Sequence, residues 1–152
     1  MQLFGKLGAN VFGGESAADA GGTDYLSNTL RMTLHTATYS PSIDANEAFA
    51  DATNELSTAS GYTANGEALA NKTVSYNATG NVTTFDCDPI TWTASGGTLT
   101  FQHAVLHDDT NTTGPPAKPL YGYIDCGAQG IASGNTFTIA PGANGLFQST
   151  VT

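Results

Sequence analysis

From residue 29 onward the chain is a succession of short runs in which apolar and polar residues alternate, each closed by a turn-forming cluster. That pattern constrains the fold more than any other feature, because alternation with a period of two buries one face of a strand and cannot make the apolar stripe of a helix. Leu30, Met32 and Leu34 alternate with Arg31, Thr33 and His35 and predict a strand with one buried face. Thr73 to Tyr76 and Val82 to Phe85 flank Asn77-Ala-Thr-Gly-Asn81, the signature of a hairpin with a longer loop. Ile90 to Ala94 and Thr98 to Leu106 flank Ser95-Gly96-Gly97 and predict a tighter hairpin, with Leu99, Phe101, His103 and Val105 on one face of its second strand. Leu120 to Asp125, Thr136 to Ile139 and Gly145 to Val151 supply three more strands. Many short strands with turns between them predict an all-β antiparallel sandwich, jelly-roll-like, over residues 29–152.

One helix interrupts this expectation. Asp44-Ala-Asn-Glu47 has the form of an acidic capping box, with Ala48, Phe49, Ala52 and Leu56 behind it on one face. It should be short, since Thr53, Asn54 and the residues from Ser57 to Ser60 are poor helix formers. Residues 1–28 differ again. They are rich in Gly and Ala, without sustained periodicity or the continuous apolar run of a signal peptide, and predict an extended N-terminal arm. Leu3, Phe4, Leu7, Val11 and Phe12 are apolar residues that a merely solvated linker would not need. They are the candidate partner-binding residues.

Charge excludes some functions. Four Lys or Arg stand against 13 Asp or Glu, a formal net charge of −9, so no basic surface exists for nucleic acid. No run approaches the ~18 apolar residues of a membrane span. Thr, Ser, Asn and Gly make up 62 of the 152 residues, while charged residues are 11%. So few charges argue against a disordered chain, and 152 residues suffice for one core.

Each candidate site has a plainer alternative. Asp86, Asp88, Asp108, Asp109 and Asp125 could hold Ca²⁺ at one end of a sandwich, but no EF-hand spacing occurs and Asp is an ordinary strand-end residue. His103 and His107 on a strand would stand about 13 Å apart, too far to share a zinc ion. No nucleophile–base signature occurs, and 13 acids allow too many carboxylate pairs for any to be meaningful, so no catalytic, cofactor-binding or metal residue is expected. Trp92 with Tyr121 and Tyr123 could form a sugar-stacking platform, although a core tryptophan is the favoured reading. Cys87 and Cys126 fit neither a disulfide framework nor a C-x-x-C pattern; two free thiols are the simplest expectation, and a single disulfide stays open.

The segments SGYTANGEALANKTVSYN, VTTFDCDPITWTASGGTLTFQHAVLHDDT and KPLYGYIDCG resemble, in that order, a group of small virion proteins of tailed bacteriophages. A GYT turn, L-x-x-KTV, FD-x-x-x-x-TW, a strand ending in AVL and PL-x-GYID fall at residues 61–75, 85–92, 101–109 and 119–127. The chain departs from that group at Cys126, where Phe is usual, at Cys87, and in its longer Gly-rich arm. The resemblance implies a non-enzymatic structural protein of the virion, made in the host bacterial cytoplasm. Architecture adds the expectation of a capsid decoration, or cement, protein on the capsid surface. Its partners would be the major capsid protein and further copies of itself, as a trimer, with neither nucleic acid nor membrane involved. A head–tail connector or tail component, or a carbohydrate-binding module for host attachment, are the alternatives.

Overall fold

The structure, a computed structural model, describes residues 1–3, 24–113 and 116–150. It is all-β, antiparallel and sandwich-like. Among the described residues ten strands follow in chain order: β1 (Gln2–Leu3), β2 (Leu30–His35), β3 (Glu67–Ala68), β4 (Thr73–Asn77), β5 (Val82–Asp86), β6 (Ile90–Thr93), β7 (Leu99–Asp108), β8 (Leu120–Ile131), β9 (Thr136–Ile139) and β10 (Phe147–Thr150). They form a five-stranded sheet in the order β1-β8-β7-β2-β3, a three-stranded sheet β10-β5-β4, and a two-stranded sheet β6-β9.

The principal core lies where these sheets meet. Leu30, Met32 and Leu34 of β2 and Leu99, Phe101, Ala104 and Leu106 of β7 pack with Phe85, Phe147, Ile90 and Trp92. Phe137 and Ile139 of β9 close it from the two-stranded sheet, whose other face carries Thr91 and Thr138 with their hydroxyls 2.9 Å apart. Although the sequence places residues 24–28 in the arm, Tyr25 sits in this core, edge-on to Phe85 and Phe147, and donates its hydroxyl to the Asp86 carbonyl at 2.9 Å.

Three expectations are corrected. No α-helix follows Asp44: the segment makes a single 3₁₀ turn, Phe49–Asp51. Its start is held from the far side, by the Asp51 carboxylate accepting from the backbone N–H of Glu47 and Ala48 at 2.9 and 3.0 Å. The β6–β7 hairpin does not form either. β6 pairs with β9, and Ala94 N–H and carbonyl bond Asn135 and Gly134, so the Ser95-Gly96-Gly97 turn carries the chain from one sheet to another. Finally, Leu99, Phe101, His103 and Val105 do not share a face. The register of β7 against β8 shifts between Phe101 and His103, where Gly127 of β8 takes φ +65°. Beyond the shift Ala104 and Leu106 enter the principal core, and Val105 turns to a second cluster. The β4–β5 hairpin forms as expected, paired from Thr73↔Asp86 to Asn77↔Val82.

The turn 61–66 is fixed by close backbone approach. A side chain at Gly61 (φ +86°) would overlap the Thr93 carbonyl, and one at Gly66 (φ +64°) the Met32 carbonyl.

Candidate functional site

The polar chemistry of the domain is concentrated on the face of the five-stranded sheet opposite the principal core. Register places Arg31 opposite His107, Thr33 opposite Val105, and His35 opposite His103, so the second residues of the β2 alternation and their β7 partners share that face. All three histidines of the chain therefore lie on it. The expected single buried face of β2 is in fact two: Thr33 and His35 are as fully buried as Met32 and Leu34.

The cover is the segment between β2 and β3. Tyr39 and Ala52 pack with Val105 and Leu120 in the second cluster, flanked by Phe49 and Tyr123. Backbone bonds stitch the segment down: Thr36 N–H to the Asn54 carbonyl (3.0 Å), Phe49 N–H to the Lys118 carbonyl (2.9 Å), and Leu120 N–H to the Glu47 carbonyl (2.8 Å). Tyr39 lies 5.1 Å from the His35 ring centroid and edge-on to His103 at 5.8 Å, while Phe49 stacks on His107 at 4.0 Å and 17°.

The histidines differ in how they are satisfied. His35 has both ring nitrogens engaged, Nε2 with the Thr33 hydroxyl and Nδ1 with the Thr53 carbonyl, each at 2.9 Å. Burial holds its pKa below the ordinary 6.5. His107 is wholly enclosed and neither nitrogen has a hydrogen-bond partner; burial pushes its pKa down to about 3. The nearest charge is Asp109, whose Oδ1 is 3.9 Å from Nε2, beyond hydrogen-bond reach. His103 faces Asp125 at 3.9 Å.

Asp109 is the electrostatic hub beside them. Its carboxylate accepts from Lys118 Nζ at 2.6 Å, Asn65 Nδ2 at 2.9 Å and Arg31 Nε at 3.0 Å. Burial pushes its pKa up, but the Lys118 and Asn65 hydrogen bonds outweigh that and hold it below the usual carboxylate value. The five aspartates weighed for Ca²⁺ do not converge on one ion. Asp108 caps its own loop, accepting from Thr110 N–H at 2.9 Å and from Asn28, while Asp88 accepts from Asn71 and Asp125 from Gly127 N–H. Among the described residues no group of three His, Cys, Asp or Glu side chains could hold a metal.

Trp92 and Tyr121 are fully buried, so the sugar platform does not form and Trp92 is a core residue. Cys87 and Cys126 are free thiols, both raised to about 11 by burial, which leaves them protonated and poorly nucleophilic at neutral pH. Leu3 pairs opposite Gly122 of the chain's own β8 and packs on the core, where glycine is required because a side chain at 122 would overlap the Gln2 carbonyl. Phe4, Leu7, Val11 and Phe12 lie outside the described residues.

The sequence did not single out the covered histidine face. Its signal was present in the polar alternation Arg31-x-Thr33-x-His35 and in the paired His103 and His107, in strands whose other face is apolar. What such an arrangement can do is limited by enclosure: a ring that no solvent reaches cannot exchange protons with a substrate, so this layer serves to hold the cover against the sheet. Comparison with family models, with curated proteins and with solved structures finds no match to this chain.

Proposed function

We propose that the protein is a non-enzymatic structural component of a tailed-bacteriophage virion, a decoration protein that binds the assembled capsid shell. One observation supports this most: the four segments that carry the resemblance are spent on building a rigid domain. Gly61 and Gly66 make the close turn, Phe85 and Trp92 fill the core, and residues 101–109 and 119–127 lie largely in the paired strands β7 and β8. Resembling residues used for packing, with no reactive side chains gathered in a cleft among the described residues, fit a chain selected for shape and durability.

The mechanism is mass action. A protein that binds the shell and not its dissociated subunits stabilises each site by about 2.7 kcal/mol when its free concentration is a hundredfold above Kd. Phe4, Leu7, Val11 and Phe12 would serve as apolar pegs on the major capsid protein. Each phenylalanine, if fully buried, contributes on the order of 1.5–3 kcal/mol before ordering costs.

Quantitative mass spectrometry of purified virions tests the reading. Hundreds of copies per particle are expected. About a dozen copies, the stoichiometry of a symmetric ring, would place the chain in the connector or tail instead, and absence from the particle would overturn the proposal.

A further inference from the structure

The three-stranded sheet ends in a strand that native proteins usually protect. Among the described residues β4 pairs with β5 on one side and with no other strand, and all five of its residues, Thr73 to Asn77, are exposed. An open edge leaves alternate backbone N–H and C=O groups pointing outward, and it is normally blunted by a charge, a proline or a bulge. β4 carries none of these. The neighbouring Lys72 is turned away, its ammonium donating to the Asn28 carbonyl and lying 5.9 Å from the centroid of the Tyr25 ring.

Two further features make this edge fit one kind of partner. Val74 (40% exposed) and Tyr76 (63%) are two of the four most exposed large apolar side chains among the described residues, and they stand on the same face of β4. The strand is also symmetric in composition about Ser75. An antiparallel copy rotated about a two-fold axis there sets Ser75 against Ser75, Val74 against Tyr76 twice, and Thr73 against Asn77 twice. Electrostatics agrees. Each copy carries a net charge of −9, which opposes self-association across most of the surface, yet no charged residue occurs from Thr73 to Phe85. From Thr73 to Phe85 the hairpin therefore offers an uncharged stretch on which two copies can meet without like charges in contact.

We propose that the chain forms an isologous dimer by antiparallel pairing of β4 with β4 of a second copy, giving a continuous six-stranded sheet β10-β5-β4-β4-β5-β10. The two-fold passes through Ser75. This inference stands apart from the capsid-binding reading and can fail separately from it, and it puts a two-fold pair in place of the trimer expected of a decoration protein.

Sedimentation equilibrium and oxidative cross-linking of the full chain test it together. The wild type should weigh twice 15.6 kDa at micromolar to submillimolar concentration. Val74→Lys and Tyr76→Glu should each weaken the dimer roughly tenfold or more, since each disturbs both apolar cross-strand pairs. Mixing the two variants should restore association, because one Val74–Tyr76 contact returns and the other becomes a Lys–Glu pair; a variant that had merely misfolded would not recover. Register is read by cysteine. Directly opposed residues have Cα atoms about 4.5–5.5 Å apart, within disulfide range, so Ser75→Cys should cross-link to itself under oxidised glutathione. Thr73→Cys should not, as its two copies would lie about 13 Å apart. A single-chain mass, a trimer, or a Ser75→Cys that cross-links no faster than Thr73→Cys would overturn the proposal.

Discussion

Leu106 and His107 are neighbours in β7, both wholly buried, and they face opposite sides of the same sheet. Leu106 enters a core supplied by all three sheets. His107 enters a thin layer supplied by one loop, with Phe49 stacked on it and no hydrogen bond to either nitrogen. The two sides are equally dry but are held differently. The apolar side gains from every methylene removed from water. The histidine side keeps His35 and His107 neutral by enclosure, so its stability depends on pH and on how well the loop stays down.

The comparison is sharpest at adjacent positions. Leu106→Ala should cost about 2–5 kcal/mol, the usual range for emptying a rigid core site. Val105→Ala, one residue away but under the loop, should cost less, because a loop can settle into the space where three sheets cannot. Urea unfolding midpoints of the two variants measure the difference. Equal losses would mean that the loop is as rigid as the sheets.

The apolar side was legible in the sequence and the covered side was not, for physical reasons. Alternation in β2 and in the β4–β5 hairpin is local information, and both strands lie where their residues predict. The mistaken β6–β7 hairpin came from a glycine turn that suits either a hairpin or a crossing between sheets. The choice was made by long-range pairing of Ile90–Thr93 with Thr136–Ile139, which no local pattern carries. A face of β7 was misassigned because a register shift beside Phe101 moves His103 and Val105 across the sheet. The segment after Asp44 has helix-start chemistry, but its backbone is held to Lys118 and Leu120 rather than to itself. Asp109 was legible only as an acid at a strand end; its three partners come from β2, the 61–66 turn and the 110–119 loop.

Acid should separate the two sides next. The folded-state pKa values of His35 and His107 lie below 6.5, so the fold holds both rings neutral while the unfolded chain protonates them. Their contribution is therefore complete above pH 6.5 and is lost as pH falls, down to about 3 for His107. With its pKa at about 3, His107 gives a slope approaching about 1.4 kcal/mol per pH unit below 6.5 and should alone remove about 2 kcal/mol between pH 7 and pH 5, while His35 acts in the same direction. Asp109 adds to the loss only at lower pH, as its depressed carboxyl takes up a proton. His107→Phe, which preserves a ring against Phe49, should flatten the profile of unfolding free energy against pH. An unchanged slope in that variant would assign the acid sensitivity elsewhere.

The smallest expected effect tests whether the loop or the strands keep His107 neutral. Phe49 is only partly buried, so Phe49→Ala should cost about 1–2 kcal/mol at pH 7, less than a core phenylalanine. The change opens the stacked face of His107 to water and removes the ring that Lys118 approaches at 5.9 Å. Hydration then favours the charged imidazolium, and the nearby Asp109 carboxylate supports it, so the pKa of His107 should rise toward its ordinary value. The variant should thus be weaker than wild type at pH 7 and lose less stability on going to pH 5. Side-chain NMR titration of the His107 ring reads the pKa directly. If it titrates as low in Phe49→Ala as in the wild type, the sheet itself excludes water and the two faces are more alike than their packing suggests.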